Sequence, residues 1–119
     1  MVACRDLMFR STIETTLRHM RLQPLILRPS DDPAAVLAAG HPLLIIVDLS
    51  LATERWRAIV AAAHAAPSPV PVLAFGPHVD HDTHAAARAA GCSLVVANSR
   101  LARALPELVE RLAPRVAGD

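Results

Sequence analysis

The apolar run Leu43-Leu44-Ile45-Ile46-Val47 ends on Asp48, so one carboxylate is delivered at the edge of a segment otherwise suited to burial. Such a carboxylate can take a phosphoryl group, hold a cation with its neighbours, or cap a turn or helix by accepting backbone N–H groups. Cys4, Arg5 and Asp6 form a second polar group, where the apolar N-terminal run gives out. A cation beside Cys4 would depress its thiol pKa and make it nucleophilic. A cysteine ending an apolar run is more commonly inert packing, and that is the expectation here. The segment His78-Val79-Asp80-His81-Asp82-Thr83-His84 spaces its histidines three apart, which puts them on one side of a helix start and can hold Zn2+ with a carboxylate. Asp and His are also ordinary polar fillers at an exposed cap, so no metal is assigned to His78, His81 and His84. The other histidines, His19, His41 and His64, fall at expected helix ends and turns. No Gly-x-Ser-x-Gly elbow is present from which to assemble a Ser-His-Asp hydrolase.

What the chain lacks narrows the chemistry further. All 12 basic residues are arginine, and tyrosine is absent. Schiff-base chemistry, a Walker A lysine and a lysine clamp on a phosphoryl group are therefore excluded. Phe9, Trp56 and Phe75 are the aromatic residues, too few for the stacking platforms of single-strand or carbohydrate binders. A formal net charge of +1 leaves no electrostatic footprint for nucleic acid or an anionic membrane, and neither is expected as a partner. The two cysteines, Cys4 and Cys92, fit free thiols in a reducing compartment. No run approaches the roughly 18 apolar residues of a membrane span. The N-terminus also lacks a signal peptide's basic-then-apolar pattern, so a cytoplasmic protein is expected.

The elements that position these groups follow from the period of the apolar residues. Met1–Cys4, Leu25–Leu27, Leu43–Val47, Val70–Phe75 and Leu94–Ala97 are short continuous runs in which β-branched residues concentrate, as in strands covered on both faces. Helix-period segments lie between them. Phe9, Ile13, Leu17 and Met20 share one stripe; Asp32-Pro33 starts a second helix and Gly40 stops it. Thr53 is positioned to cap a third helix bearing Trp56, Ile59, Val60 and Ala63, and Pro67 forbids its continuation. Asp80 caps a fourth that ends at Gly91, and Ser99 a fifth bearing Leu101, Leu105, Leu108 and Leu112, in which Pro106 predicts a kink or a start near Leu105. The prediction is an α/β fold: one domain over residues 1–119, a three-layer (βα)5 doubly wound parallel sheet with right-handed crossovers. Chemistry in such sheets gathers beyond the carboxyl ends of the strands. That region collects Cys4, Arg5, Asp6, Arg28, Ser30, Asp48, Gly76, Asn98 and Ser99. The hydroxyls of Ser11, Thr12, Thr15 and Thr16 fall inside helix one, too late for the phosphate loop of a flavin site, so flavin is not expected.

Three segments, Leu43 to Asp48, Val70 to Phe75 and Ala85 to Ser93, in this order and spacing, resemble the receiver domain of bacterial response regulators over essentially the whole chain. The resemblance implies a flavodoxin-like sheet of order 2-1-3-4-5 and makes Asp48 the phosphoacceptor position. It also implies an acidic pair for Mg2+, a Ser or Thr after the fourth strand and a Lys-Pro after the fifth. At those places stand Cys4 and Arg5 with Asp6 one residue late, Gly76, and Asn98-Ser99. A pocket that gains arginine and loses carboxylates holds Mg2+ poorly, so Mg2+ binding is expected to be weak or absent and no other cofactor is implied. Two arrangements are open for the remnant: the Arg5 guanidinium pairs with Asp48 in place of the metal, or Arg5 faces solvent and Asp48 caps a turn. The expected function is that of a non-enzymatic pseudo-receiver acting by protein contact. A homodimer through helices four and five, with Arg88, Arg100 and Arg103 as interface candidates, is one use of that surface. The alternatives are a weakly phosphorylatable receiver using Asp48, and a ligand-binding or enzymatic domain lining its crevice with Asp48, Asp6 and Cys4.

Overall fold

The computed structural model describes residues 1–113. In chain order these form β1 (Val2–Ala3), α1 (Leu7–His19), α2 (Pro33–Gly40), β2 (Ile45–Asp48), α3 (Thr53–Ala65), β3 (Val72–Gly76), α4 (His81–Ala89), β4 (Leu94–Ala97) and α5 (Asn98–Leu112). All pairings are parallel and the order is β1-β2-β3-β4. The register sets Asp48 beside Phe75 and Gly76 beside Ala97, which brings the ends of β2, β3 and β4 to one rim. No helix among the described residues is long and apolar enough to cross a membrane. The expected domain end at Asp119 lies outside the described residues.

Successive strand residues point to opposite faces, and both faces are covered. Ala3, Ile45, Val47, Val72, Ala74 and Val95 join Leu37, Trp56, Ile59, Val60, Ala63 and Ala87 on the side of α2, α3 and α4. Val2, Ile46, Leu73, Phe75 and Val96 meet Ile13, Leu17, Leu101, Leu105, Leu108 and Val109 of α1 and α5 on the other. The three layers expected from the sequence are present.

The second expected strand is not. Leu25–Leu27 makes one parallel bridge, Ile26 beside Val2, through Val2 N–H to Leu25 O at 2.8 Å and Leu27 N–H to Val2 O at 2.9 Å. Pro24 and Pro29 bracket this segment and lack the N–H groups a longer ladder would use. Its partner β1 is itself two residues long, because the chain leaves the sheet to reach the Asp6 cap of α1. The sheet is four-stranded where five strands were expected, with the Leu25–Leu27 bridge on the outer edge of β1.

Three expected helix boundaries also shift. Thr53 and Ser99 are helical rather than caps: Ala52 and Ala97 precede α3 and α5, and neither provides a side-chain cap bond. At the end of α2 the left-handed residue is His41, with φ 46°, rather than Gly40. Asp32 and Asp80 do cap α2 and α4, accepting from Ala34 and Thr83 N–H. Pro106 kinks α5 at Ala104, whose φ and ψ are −123° and 19°, because proline cannot donate to the preceding turn. Gly91 closes the α4 end with φ +104°, a conformation that favours glycine.

Candidate functional site

Asp48 ends β2 and is 5% exposed. Its Oδ1 accepts the Ser50 N–H at 2.9 Å and the Ser50 hydroxyl at 2.7 Å; its Oδ2 accepts the Arg5 N–H at 3.0 Å and faces the Cys4 thiol at 3.7 Å. The carboxylate thus has donors on both oxygens from the chain itself. Bonding to the residue two places on is an Asx turn, and it takes the strand into the approach to α3. The sequence signal was the Asp-x-Ser spacing of Asp48 and Ser50, and Ser50 is the site residue that sequence reasoning missed.

Arg5 reaches Asp48 with its main chain only. Among the described residues the ion pairs are Arg10 with Glu14 and Arg18 with Glu14, and Arg5 is exposed. The guanidinium pairing is therefore not formed, and the turn-capping arrangement is the one observed. A buried guanidinium would forfeit its hydration beside a carboxylate whose oxygens already have donors. Asp6 acts as the cap of α1: its Oδ1 accepts the Met8 and Phe9 N–H groups at 2.8 and 3.0 Å.

The Cys4 thiol is pushed up to about 12, first by burial and then by the negative charge of Asp48. This is the reverse of the activation that a paired cation would give. Burial also raises Cys92, to about 11. Iodoacetamide at pH 7.5 is expected to label either native thiol at least about a hundredfold more slowly than in the denatured chain, because the thiolate is the nucleophile. Labelling of Cys4 at the denatured rate would contradict the geometry. Both raised values also mean that stability from the protonated thiols is intact below pH 9 and is lost as pH rises toward 11 to 12.

Gly76 lies at the end of β3 against the first turn of α4. A Cβ there would stand 3.3 Å from Leu49 Cβ and 3.4 Å from His84 Nε2. His84 is 7% exposed and its Nε2 has no partner, as is also true of the buried Asn98 Oδ1 at the start of α5. His78 and His81 are exposed, so the three histidines do not converge, and no group of three or more His, Cys, Asp or Glu among the described residues is arranged to hold a metal ion. Arg28 and Ser30 are exposed; Arg28 is tied by its main chain, its N–H donating to Asp31 and its carbonyl accepting from Arg55. Arg88 on α4 and Arg100 and Arg103 on α5 are exposed.

Cavities of about 230 and about 870 Å³ open at the opposite, amino-terminal end of the strands, sharing His41, Pro42, Leu43 and Ala113. Neither is lined by Cys4, Asp6 or Asp48.

No known family model matches the sequence, and no curated protein matches it. Solved structures do match. The signal receiver domain of a protein described as a Luxo repressor from Vibrio parahaemolyticus superposes with TM-score 0.78 at 15% identity, over 97% of this chain and 88% of that one. A response regulator from Burkholderia multivorans gives 0.63 at 19% identity over 92% of each chain. The Mn(2+)-bound form of response regulator Rcp1 gives 0.61 at 19% identity, over 98% of this chain and 88% of that one. With its parallel sheet, helices on both faces and an aspartate at the end of β2, the chain has the receiver-domain fold.

Proposed function

We propose that this domain is a pseudo-receiver, a signalling module that works by protein–protein contact without Mg2+-dependent phosphorylation of Asp48. One observation carries this reading: both oxygens of Asp48 are already taken up by Arg5, Ser50 and Cys4. A divalent ion would have to displace these donors, and the nearby Asp6 carboxylate is engaged at the start of α1. A transferred phosphoryl group needs its charge neutralised, and the chain contains no lysine to do so. The large exposed apolar side chains Leu7 and Met8, 66% and 83% exposed beside Arg5, suit a contact surface better than a solvated helix start.

Addition of beryllofluoride with Mg2+, followed by amide NMR, tests the reading. The expected result is no saturable shift at Cys4 to Asp6, Asp48 to Ser50 or Gly76. Shifts centred on Asp48 would overturn it in favour of a weakly phosphorylatable receiver, the second reading, which the position of Asp48 at the end of β2 supports. The cavities of about 230 and about 870 Å³ lie at the far end of the sheet and lend no support to a ligand-binding or enzymatic crevice at Asp48. Free Cys4 and Cys92 agree with a reducing cytoplasm as the place of work.

The contact surface includes α4 and α5. Arg88, Arg100 and Arg103 are exposed there and make no ion pair among the described residues, which leaves them available to carboxylates of a second copy. Light scattering is expected to show a concentration-dependent dimer that Arg100→Glu weakens. A monomer at millimolar concentration would remove the dimer and leave only a different protein as partner.

A further inference from the structure

α2 has the composition of a covered helix and the exposure of an open one. Its sequence Pro33-Ala34-Ala35-Val36-Leu37-Ala38-Ala39-Gly40 carries no polar side chain on any side, a pattern that belongs to helices buried all round. Its buried residues are Pro33 and Leu37, while Ala34, Ala35, Ala38 and Ala39 are exposed. The cavity of about 870 Å³ is lined from α2 by Ala34, Leu37 and Ala38 and from the end of α3 by Ala62 and Ala65. It meets the smaller cavity at His41-Pro42-Leu43, which lines both, and Leu43 is 62% exposed there.

None of the described residues lining either cavity is Asp, Glu or Arg, in a chain of which 19% is charged. One wall is fixed in advance. Pro67, Pro69 and Pro71 alternate along it, each with φ locked by its ring. Val70 N–H to Ala63 O at 3.3 Å and Ile45 N–H to Pro71 O at 3.0 Å tie it to α3 and to β2. A wall that is already ordered loses little freedom on binding. At the smaller cavity Gly40 lets Leu25 close in, since a Cβ at Gly40 would collide with Leu25 Cδ2.

We propose that this amino-terminal end of the molecule is a homotypic interface, in which α2 and Leu43 of one copy meet the same face of a second copy. Contact across a two-fold axis requires one patch to carry both a projection and a recess. Leu43 is the projection, and the alanine-lined groove beside it is the recess. A face without carboxylates or guanidinium groups meets its own copy with no like charges opposed. Its size also suits a stable dimer: about twenty of the lining residues are partly or wholly exposed, against the 20–30 that an interface of standard size takes from each partner. This interface is separate from the one proposed above, since none of Arg88, Arg100 and Arg103 lines it and Asp48 is at the other end of the strands.

Sedimentation equilibrium of the full chain carrying Arg100→Glu, which weakens any contact through α4 and α5, isolates this face. That protein is expected still to dimerise, and amide NMR over a dilution series should place its shifts on residues 34–43 and 62–70. Adding Leu43→Asp or Ala38→Glu puts a carboxylate into the apolar contact and should weaken the dimer about thirtyfold or more. Both positions are exposed, so Tm at low concentration should stay unchanged. A dimer that neither added substitution weakens would overturn the proposal. So would a monomer at millimolar concentration, which would leave the groove to a small apolar ligand, a different protein or the chain's own residues 114–119. Neither result touches the pseudo-receiver reading, which beryllofluoride tests at Asp48.

Discussion

Asp48→Ala is expected to lower the unfolding free energy by about 3 kcal/mol, roughly 10–15 °C in Tm for a domain of this size. The substitution removes the acceptor for the Arg5 N–H, the Ser50 N–H and the Ser50 hydroxyl together, and leaves the Cys4 thiol without its carboxylate. Hydrogen bonds to an ionised acceptor are worth about 1.5–3 kcal/mol each, and a buried donor left unpaired costs about 1–3 kcal/mol. Ser50 is exposed and recovers part of its loss from water, so the sum stays well below the four-bond total. The direction is diagnostic. An aspartate held in an acidic cluster for a cation repels its neighbours when the cation is absent, and its removal leaves stability unchanged or raised. An aspartate that holds β1 to the turn after β2 cannot be removed so cheaply. Arg5→Ala is the control: it keeps the backbone donor and deletes an exposed, unpaired guanidinium, so it should change stability by less than about 0.5 kcal/mol. Chemical denaturation of the two variants decides the matter, and an Asp48→Ala protein as stable as wild type would return Asp48 to a chemical role.

The layers of the fold were legible because they depend on apolar period alone. The runs at Ile45–Asp48, Val72–Gly76 and Leu94–Ala97 and the stripes of α1, α3 and α5 are each set by which residues must be buried. The failures share a different cause. Leu25–Leu27 has a strand's composition, but whether it pairs for more than one bridge depends on the length of β1, which is fixed by where Asp6 caps α1. Thr53 and Ser99 have a cap's chemistry, yet the polar group that organises the approach to α3 is Asp48, five residues before Thr53, through Ser50. The site was half visible for the same reason. Asp48 could be located from its run, but whether Arg5 would offer it a guanidinium or a backbone N–H is a matter of chain direction at Cys4. His84 read as a polar filler in a histidine-rich cap; only the missing side chain at Gly76, on another element, makes room for it inside.

That pairing of an absent side chain with a buried ring yields the second large effect. Gly76→Thr, one of the two residue types that the sequence resemblance implies at this position, should destabilise this protein by about 2 kcal/mol. Its Cβ alone would lie 3.3 Å from Leu49 Cβ and 3.4 Å from His84 Nε2, and the hydroxyl and methyl group need further room. Leu49 belongs to the packed core under α3 and has little freedom to retreat. The ring of His84, joined to the first turn of α4, is the part that must give. His84→Ala made alone removes an unpartnered buried nitrogen but leaves a cavity, so its own cost should be moderate, about 1–2 kcal/mol. In the double variant the threonine side chain fills the space that the ring has left. Stability should then exceed the additive expectation by about 1 kcal/mol or more, as measured by a denaturant double-mutant cycle. Strict additivity would mean that His84 and position 76 do not compete for the same volume. A favourable coupling would mean that the space beside position 76 is held shut from α4, and that placing a threonine here requires first removing the histidine beneath it.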